Sequence, residues 1–457
     1  MNAPLPPDFL TYLPDGGRQA APLDLPTVWR QLVDARFGVI RLLLESCRAP
    51  EFPQLHIAAA VLSNPAYFCA NDAPPVKVPM GGAGAGITRE QCLWSTVGEA
   101  VERYCGGVYG MEQFEFGLPE EMAGRCFPMQ DWILYSQEQY DNPEFPFGRL
   151  QDQTSLQWVK GQDLINGDEL WLPAQLIYFG LQVGQGEALT QTVSTGMACG
   201  ADYSQAIASG FREALERDVF MAMWLLRYQP QQIELDAAFL QQLPAQVQAM
   251  LASPVCQLTL WYLPNEFGAI TVLACCQGRH SWRIGFGASC HFSLLQACEK
   301  AIVEACHTWV WSTRFADSEM EQAQQTLHSW GKLAGSKEHV SYYLRPEMRA
   351  QLSFLLDSPG RVQASALQAG LAPASLHSVA QKVHASGRCI GWADLSTADV
   401  AQTGLRVVKV LISDIQPLYF GNPACFASQQ RRRLQQLADF WGMPMPAELN
   451  PAPHPFP

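Results

Sequence analysis

A short pattern that occurs twice constrains this chain more than anything else in it. Gly86 precedes Glu99 by thirteen residues, with Glu102-Arg103 following, and Gly200 precedes Glu213 by thirteen, with Glu216-Arg217 following. The segments that carry it, GITREQCLWSTVGEAVER and GADYSQAIASGFREALER, have helical periodicity. A third segment, LLQACEKAIVEACHTWVWSTR (294–314), is a weaker copy. Setting Glu304 against Glu99 and Glu213 puts Lys300 opposite Ser95 and Ser209, while His307 replaces the second Glu. The spacing between copies is irregular, which excludes a solenoid. It predicts an α/β (α+β) fold in which related strand–helix units pack around a shared centre.

Carboxylates at i and i+3 lie on one helical face. Two such helices plus Glu304 aim five carboxylates at one volume. Like charges about 4 Å apart repel by roughly 1–4 kcal/mol per pair across plausible dielectrics, so the cluster calls for a cation. Mg2+ suits it, being a hard ion that binds through a few carboxylates and nucleotide phosphates. Arg103, Arg217 and Lys300 stand beside these carboxylates in sequence and could face phosphate. A single ExxER on a helix is ordinarily a solvated face with an internal ion pair; two copies at one spacing from a glycine argue against coincidence.

Residues 1–31 are rich in Pro and Gly at their start and predict a flexible arm. FGVIRLLLE (37–45) and LHIAAAVL (55–62) predict buried strands or short helices, and NDAPPVKVPMGGAGAG (71–86) predicts a break in regular structure. The first helix is expected over 87–107, opened by Thr88 with Gln91 and stopped by Gly106-Gly107. Mixed strands and turns are expected over 108–190. Further helices are predicted over 203–227 and 294–314, antiparallel strands over 259–288, and a strand within 404–421. Residues 315–390 are expected to form a peripheral helical insertion in a domain spanning 32–421. A short Arg-rich helix and a Pro-rich tail complete the chain over 422–457.

Other chemistries find less support. GGAGAG (81–86) superficially resembles a dinucleotide loop, but PPVKVPM before it holds three prolines and no GK[ST] follows. Cys290 and His291 are neighbours in a predicted strand and point to opposite faces. Arg431-Arg432-Arg433 predicts a solvated helix face. The 14 cysteines are scattered without a CxxC, so structural zinc is not expected. At 48% apolar and 16% charged residues the chain is globular, and its 457 residues exceed the roughly 250–300 that one core usually serves. A net charge of −13 argues against nucleic-acid or anionic-membrane surfaces. No apolar run spans a membrane and no secretion signal is recognisable, which makes the cytoplasm the expected compartment.

The motifs SxxxExxER (Ser95, Glu99, Glu102, Arg103), STGMACG followed by ExxERD (Ser194 to Asp218), and KxxxE (Lys300, Glu304) resemble those of the YcaO family. VDARFGVIR (33–41), EHVSYY (338–343) and LRVVKVLISDIQPLYFG (405–421) are similar to blocks of its azoline-forming branch, and PAPHPFP (451–457) resembles that branch's PxPxP tail. The resemblance implies a YcaO-like fold around a central site for ATP and Mg2+. It implies Mg2+ ligation by Glu99, Glu102, Glu213, Glu216 and Glu304, ATP contacts from Ser95, Arg103, Arg217 and Lys300, and a catalytic role for the terminal carboxylate of Pro457. The implied activity is ATP-dependent cyclodehydration of Cys, Ser or Thr in a ribosomally made precursor peptide, as in thiazole/oxazole-modified microcin biosynthesis.

Ala85 stands where many relatives have Lys, and Lys300 where some have Arg. Ala201 and Gln205 occupy positions of polar or acidic nucleotide contacts elsewhere in the family. The chain length is taken up by the catalytic part, so the resemblance implies a separate ubiquitin-activating-enzyme-like partner that binds the leader peptide. A flavin-dependent azoline dehydrogenase and an oligomeric assembly are further expected partners. Two other readings stay open: a thioamide-forming relative, and a non-catalytic nucleotide-binding scaffold subunit.

Overall fold

The computed structural model describes residues 12–15, 19, 21–46, 48–64, 81–129, 135, 137–151, 154–181, 183, 188–315, 317–327, 335–420 and 431–457. Three sheets organise them, and each offers one edge strand to a common centre. A three-stranded antiparallel sheet runs Ile40–Glu45, His56–Leu62, then β1 (Gly81–Gly86) at its edge. A seven-stranded sheet ends in β2 (Met197–Gly200), which pairs antiparallel with Arg406–Ile412. A five-stranded sheet ends in β3 (Ile284–His291), paired with Ile270–Gly278.

Each edge strand passes straight into a long helix: β1 into α1 (Arg89–Gly107), β2 into α2 (Tyr203–Leu226), and β3 into α3 (Leu294–Ser312). The N-caps Thr88, Asp202 and Ser293 each stand two residues beyond their strand. Thr88 Oγ1 accepts from Gln91 N at 3.1 Å and Asp202 Oδ1 from Gln205 N at 2.7 Å, each satisfying an N–H that the first helical turn leaves open. The units close into a ring, since α1 packs on β1 and β2, α2 on β2 and β3, and α3 on β3 and β1. The strand–helix units expected from the repeat are therefore present, and the expected α/β (α+β) architecture holds.

GGAGAG departs from expectation: residues 81–86 form strand β1, not a break. The alternation explains it. Gly82, Gly84 and Gly86 are the buried positions and face α1, where a Cβ on Gly84 would lie 2.3 Å from the Thr96 backbone nitrogen. The glycines serve close helix–strand packing, and the prolines before Met80 fall outside the described residues. Gly106 and Gly107 are the last residues of α1; the chain leaves through Val108 in extended conformation.

Other departures lie at the periphery. Within the expected N-terminal arm, Leu25–Leu32 is a helix started by Asp24 and buried through Val28 and Leu32, while residues 1–11 fall outside the described set. The segment 315–390 contributes several helices, but Arg361–Gln363 is a strand of the five-stranded sheet and His339 and Tyr343 are buried against the chain end. The Arg-rich helix α4 (Arg431–Phe440) is present. Its Arg433 is not on a solvated face: it is 3% exposed and paired with Asp218 and Glu266. The helix presents Leu434, Leu437 and Ala438 to the core, and Arg433 turns inward with them.

Candidate functional site

The free edges of β1, β2 and β3 meet where the repeated glutamates point, and each glutamate accepts an N–H from one of these segments. Glu99 Oε2 accepts from Ala83 N at 2.8 Å, Glu213 Oε2 from Gly196 N at 3.2 Å, and Glu304 Oε2 from Ala288 N at 3.0 Å. Those three belong to each helix's own strand or to the residue leading into it. The second glutamate of each pair reaches the next unit: Glu102 Oε1 accepts from Cys199 N at 2.8 Å and Glu216 Oε2 from Cys290 N at 2.8 Å. An edge strand left bare would carry unpaired N–H groups into the interior; here carboxylates complete three edges at once. Spacing three apart on a helix thus bridges two neighbouring sheets, which is the physical content of the ExxE pattern.

The price of this arrangement is electrostatic. Burial pushes the Glu99 carboxyl above its usual range, opposed by Arg103 and the Ala83 N–H. Glu102 is raised further, by burial and then by the nearby Glu213 charge. Glu216 is raised by burial against the pull of Arg217, and Glu304 reaches about 8 through burial and the neighbouring Glu216. Such mutual effects show that the five groups occupy one electrostatic neighbourhood.

Two arginines compensate in part. Arg103 pairs with Glu99 and donates to the Gly81 carbonyl. Arg217 lies 3.4 Å from Glu213 and 3.6 Å from Glu216. Both expected phosphate contacts are therefore engaged with carboxylates. Ser95 and Lys300 sit one turn N-terminal to Glu99 and Glu304 on their helices and are exposed. Among the described residues no three acidic, His or Cys side chains are placed to share one ion. The set fits a hard cation that takes one or two carboxylates and completes its shell with phosphate oxygens and water, as Mg2+ does.

The chain end is folded onto this site. Ala452 O accepts from Trp224 Nε1 at 2.8 Å, Pro453 O from the Tyr343 hydroxyl, and His454 O lies 2.8 Å from His339 Nδ1. His454 Nε2 lies 2.6 Å from Tyr419 O. The blocks EHVSYY and LYFG thus meet on the tail, with His339 and His454 rings 4.2 Å apart. Phe456 is 1% exposed and packs on Phe220, and the Arg217 guanidinium stands 4.1 Å from its ring centre. That arginine also holds Glu213 and Glu216, and Pro457 follows Phe456 directly in sequence.

Three elements of the site were assigned no role from the sequence, although Asp218 closes the ExxERD motif. Asp218, directly after Arg217, holds Gln416 N at 2.7 Å and the buried Arg433. Arg212 lies over the Phe292 ring at 5.6 Å; burial of Lys300, and then the nearby Arg212 charge, lower that amine's proton affinity. Lys409 is 2% exposed within strand Arg406–Ile412, an inward cation in a run of valines. A charge interrupting a β-branched strand was the available signal for Lys409; Arg433 carried none, because its partners lie more than 160 residues away in sequence.

Comparison with known proteins gives a consistent picture. The family described as YcaO cyclodehydratase, ATP- and Mg2+-binding, matches residues 83–416. Among solved structures, a heterocyclase in complex with substrate and cofactor is similar at 20% identity, covering 95% of this chain and 57% of that one with a TM-score of 0.73. YcaO from Methanopyrus kandleri bound with AMPPCP and Mg2+ is similar at 18% identity over 82% of this chain and 86% of that one, TM-score 0.56. A chain of the E. coli microcin synthetase McbBCD complex is similar at 13% identity over 81% and 86%, TM-score 0.55. The chain thus spans little more than half the length of the first heterocyclase. No curated protein matches it. Among the described residues no helix is long and apolar enough to cross a membrane.

Proposed function

The chain belongs to the YcaO family, and on that premise we propose that it is an ATP- and Mg2+-dependent cyclodehydratase that converts Cys, Ser or Thr of a ribosomal precursor peptide to thiazoline or oxazoline. The observation that carries this reading is the ring of five glutamates closed by three edge strands with the Pro-rich tail packed on Arg217.

In the overall reaction the side-chain oxygen or sulfur adds to the preceding carbonyl carbon and gives up its proton. The former carbonyl oxygen takes the γ-phosphoryl group of ATP as the bond to the β,γ-bridging oxygen breaks and ADP leaves. Phosphate then departs with that oxygen as the C–N bond becomes C=N and the amide nitrogen loses its proton. Bound Mg2+ supplies charge neutralisation on the phosphates. Glu99, Glu102, Glu213, Glu216 and Glu304 would share the Mg2+ ions, one or two carboxylates to each, and their fixed strand N–H partners keep them oriented without reorganisation. Neutralising the carboxylates frees Arg103 and Arg217 to turn to phosphate, with Ser95 and Lys300 as further ATP contacts. Catalysis is then chiefly positioning and charge compensation, as in phosphoryl transfer generally.

The tail supports the azoline-forming reading over thioamide formation. Its burial and its anchoring by both peptide carbonyls and side chains support the proposed catalytic role of the Pro457 carboxylate. A leader-binding partner of ubiquitin-activating-enzyme-like type, and a flavin-dependent dehydrogenase acting on the azoline, complete the proposed assembly, which we place in the cytoplasm. The test is mass spectrometry of a candidate precursor incubated with this chain, its partner and ATP. Loss of one water per ring is expected, and removal of residues 454–457 should abolish it. Exchange of oxygen for sulfur, or full activity after truncation, would overturn the reading.

A further inference from the structure

Beside the glutamate ring lies a cavity of about 50 Å3, walled largely by apolar side chains such as Leu176, Ile412 and Leu418 and lined also by Lys409, Thr195 and Gln416. That volume admits a few water-sized groups. It adjoins the cluster through two elements. Ala214, next to Glu213, lines it, and Val410, next to Lys409, donates to the Gly196 carbonyl, whose own N–H holds Glu213.

The polar groups in this apolar setting are incompletely used. Lys409 Nζ has three N–H donors and spends one on Val193 O at 2.6 Å. Gln416 is 1% exposed, and its Oε1 has no hydrogen-bond partner. Its Nε2 donates to Pro417 O at 3.2 Å, which fixes the amide with Oε1 as the open end. Thr195 Oγ1 is likewise buried without a partner. A buried acceptor left unpaired loses its solvation without replacement, so a fully enclosed state is unfavourable unless a ligand supplies the missing bond.

We propose that this cavity binds the ring-forming amide of the substrate peptide, with Lys409 and Thr195 holding its carbonyl oxygen and Gln416 Oε1 accepting from an amide N–H. This rests on the cyclodehydratase reading and extends it to the substrate subsite. A peptide amide offers one donor and one acceptor, the pair that the cavity lacks. The ionised phosphoryl groups of Mg2+-bound ATP offer only acceptors and would meet the Gln416 oxygen unfavourably. The small volume admits little beyond the amide group itself, so the flanking residues must lie outside it. Lys409 also supplies positive charge where the amide oxygen becomes electron-rich, a use that a neutral hydrogen-bond donor serves less well.

The probe is N-acetyl-Gly-Ser-N-methylamide at millimolar concentration, observed by saturation-transfer NMR on the full chain with Mg2+ and a non-hydrolysable ATP analogue. Wild type should give a signal that falls at least fivefold in Lys409→Met and Gln416→Leu, while the affinity for the nucleotide analogue changes less than twofold. An unchanged signal in both variants, or none in wild type, overturns the assignment, as does displacement of the probe by inorganic phosphate. If Lys409→Met fails to fold, Thr195→Val and Gln416→Leu decide by the same separation of peptide from nucleotide binding. Ring formation by the wild type is measured independently, so loss of this subsite and loss of the proposed reaction are told apart.

Discussion

At the scale of single residues, the glutamates are both structural and chemical. Each oxygen that completes a strand edge leaves the rest of its carboxylate for a cation. Glutamine keeps an acceptor oxygen for the strand N–H but removes the charge. Glu213→Gln should therefore leave the melting temperature unchanged or raised, because repulsion with Glu102 and Glu216 is relieved. Its affinity for Mg2+-nucleotide should fall by about tenfold or more, a charge-assisted contact being worth roughly 1.5–3 kcal/mol; calorimetric titration and a thermal melt read the two effects separately. Gly84 answers to a different constraint. Its missing Cβ allows β1 to lie against Thr96, so Gly84→Ala should destabilise the protein by about 1–3 kcal/mol in chemical denaturation. The motif residues were legible because a pair of glutamates recurs at one spacing from a glycine, with a single glutamate in the third copy. The glycines were misassigned because alternation of Gly with Ala has the composition of a loop, and only the facing helix shows why Cβ atoms are excluded.

At the scale of elements, the long helices were legible from periodicity to within a few residues, since each buries one face and carries a cap. The end of the chain was harder. Helix α4 depends on Arg433, which bridges Asp218 of α2 to Glu266 and so joins the tail to the site helix. Three consecutive arginines look like a solvated face unless the buried carboxylates waiting for one of them are known. Arg433→Met would leave Asp218 buried without its cation, at a cost of about 3–5 kcal/mol. Denaturation should show that loss, and the double variant with Asp218→Asn should recover much of it. Recovery of stability without recovery of ring formation would show that the pair also sets where Phe456 meets Arg217. The same long-range logic hid the 315–390 segment's role, whose His339 and Tyr343 matter through the tail they bind.

At the scale of the whole molecule, three sheets and three long helices close a ring in which Glu102 and Glu216 bridge two of the junctions, while the third helix has His307 at the equivalent sequence position. That asymmetry was visible in the alignment of the copies, whereas the convergence of the sheet edges was not, because strand pairing is set by contacts across the entire chain. The ring also predicts a pH response. Glu304 has a folded-state pKa of about 8, and Glu99, Glu102 and Glu216 are likewise raised. Between the ordinary carboxylate range and about 8 the folded chain holds more protons than the unfolded one, so ligand-free stability falls as pH rises through that window. Melting curves from pH 5 to pH 8 should show the decline, and saturating Mg2+-nucleotide should reduce it, since the metal takes the place of the bound protons. A flat profile would mean that these carboxylates titrate as in solvent.

The most direct test of the account is a crystal structure with Mg2+ and a non-hydrolysable ATP analogue. We expect the triphosphate and its metal among Glu99, Glu102, Glu213, Glu216 and Glu304, with Arg103 and Arg217 turned from the carboxylates to the phosphates. Nucleotide bound elsewhere, with the five glutamates still paired only to strand N–H groups and arginines, would contradict it.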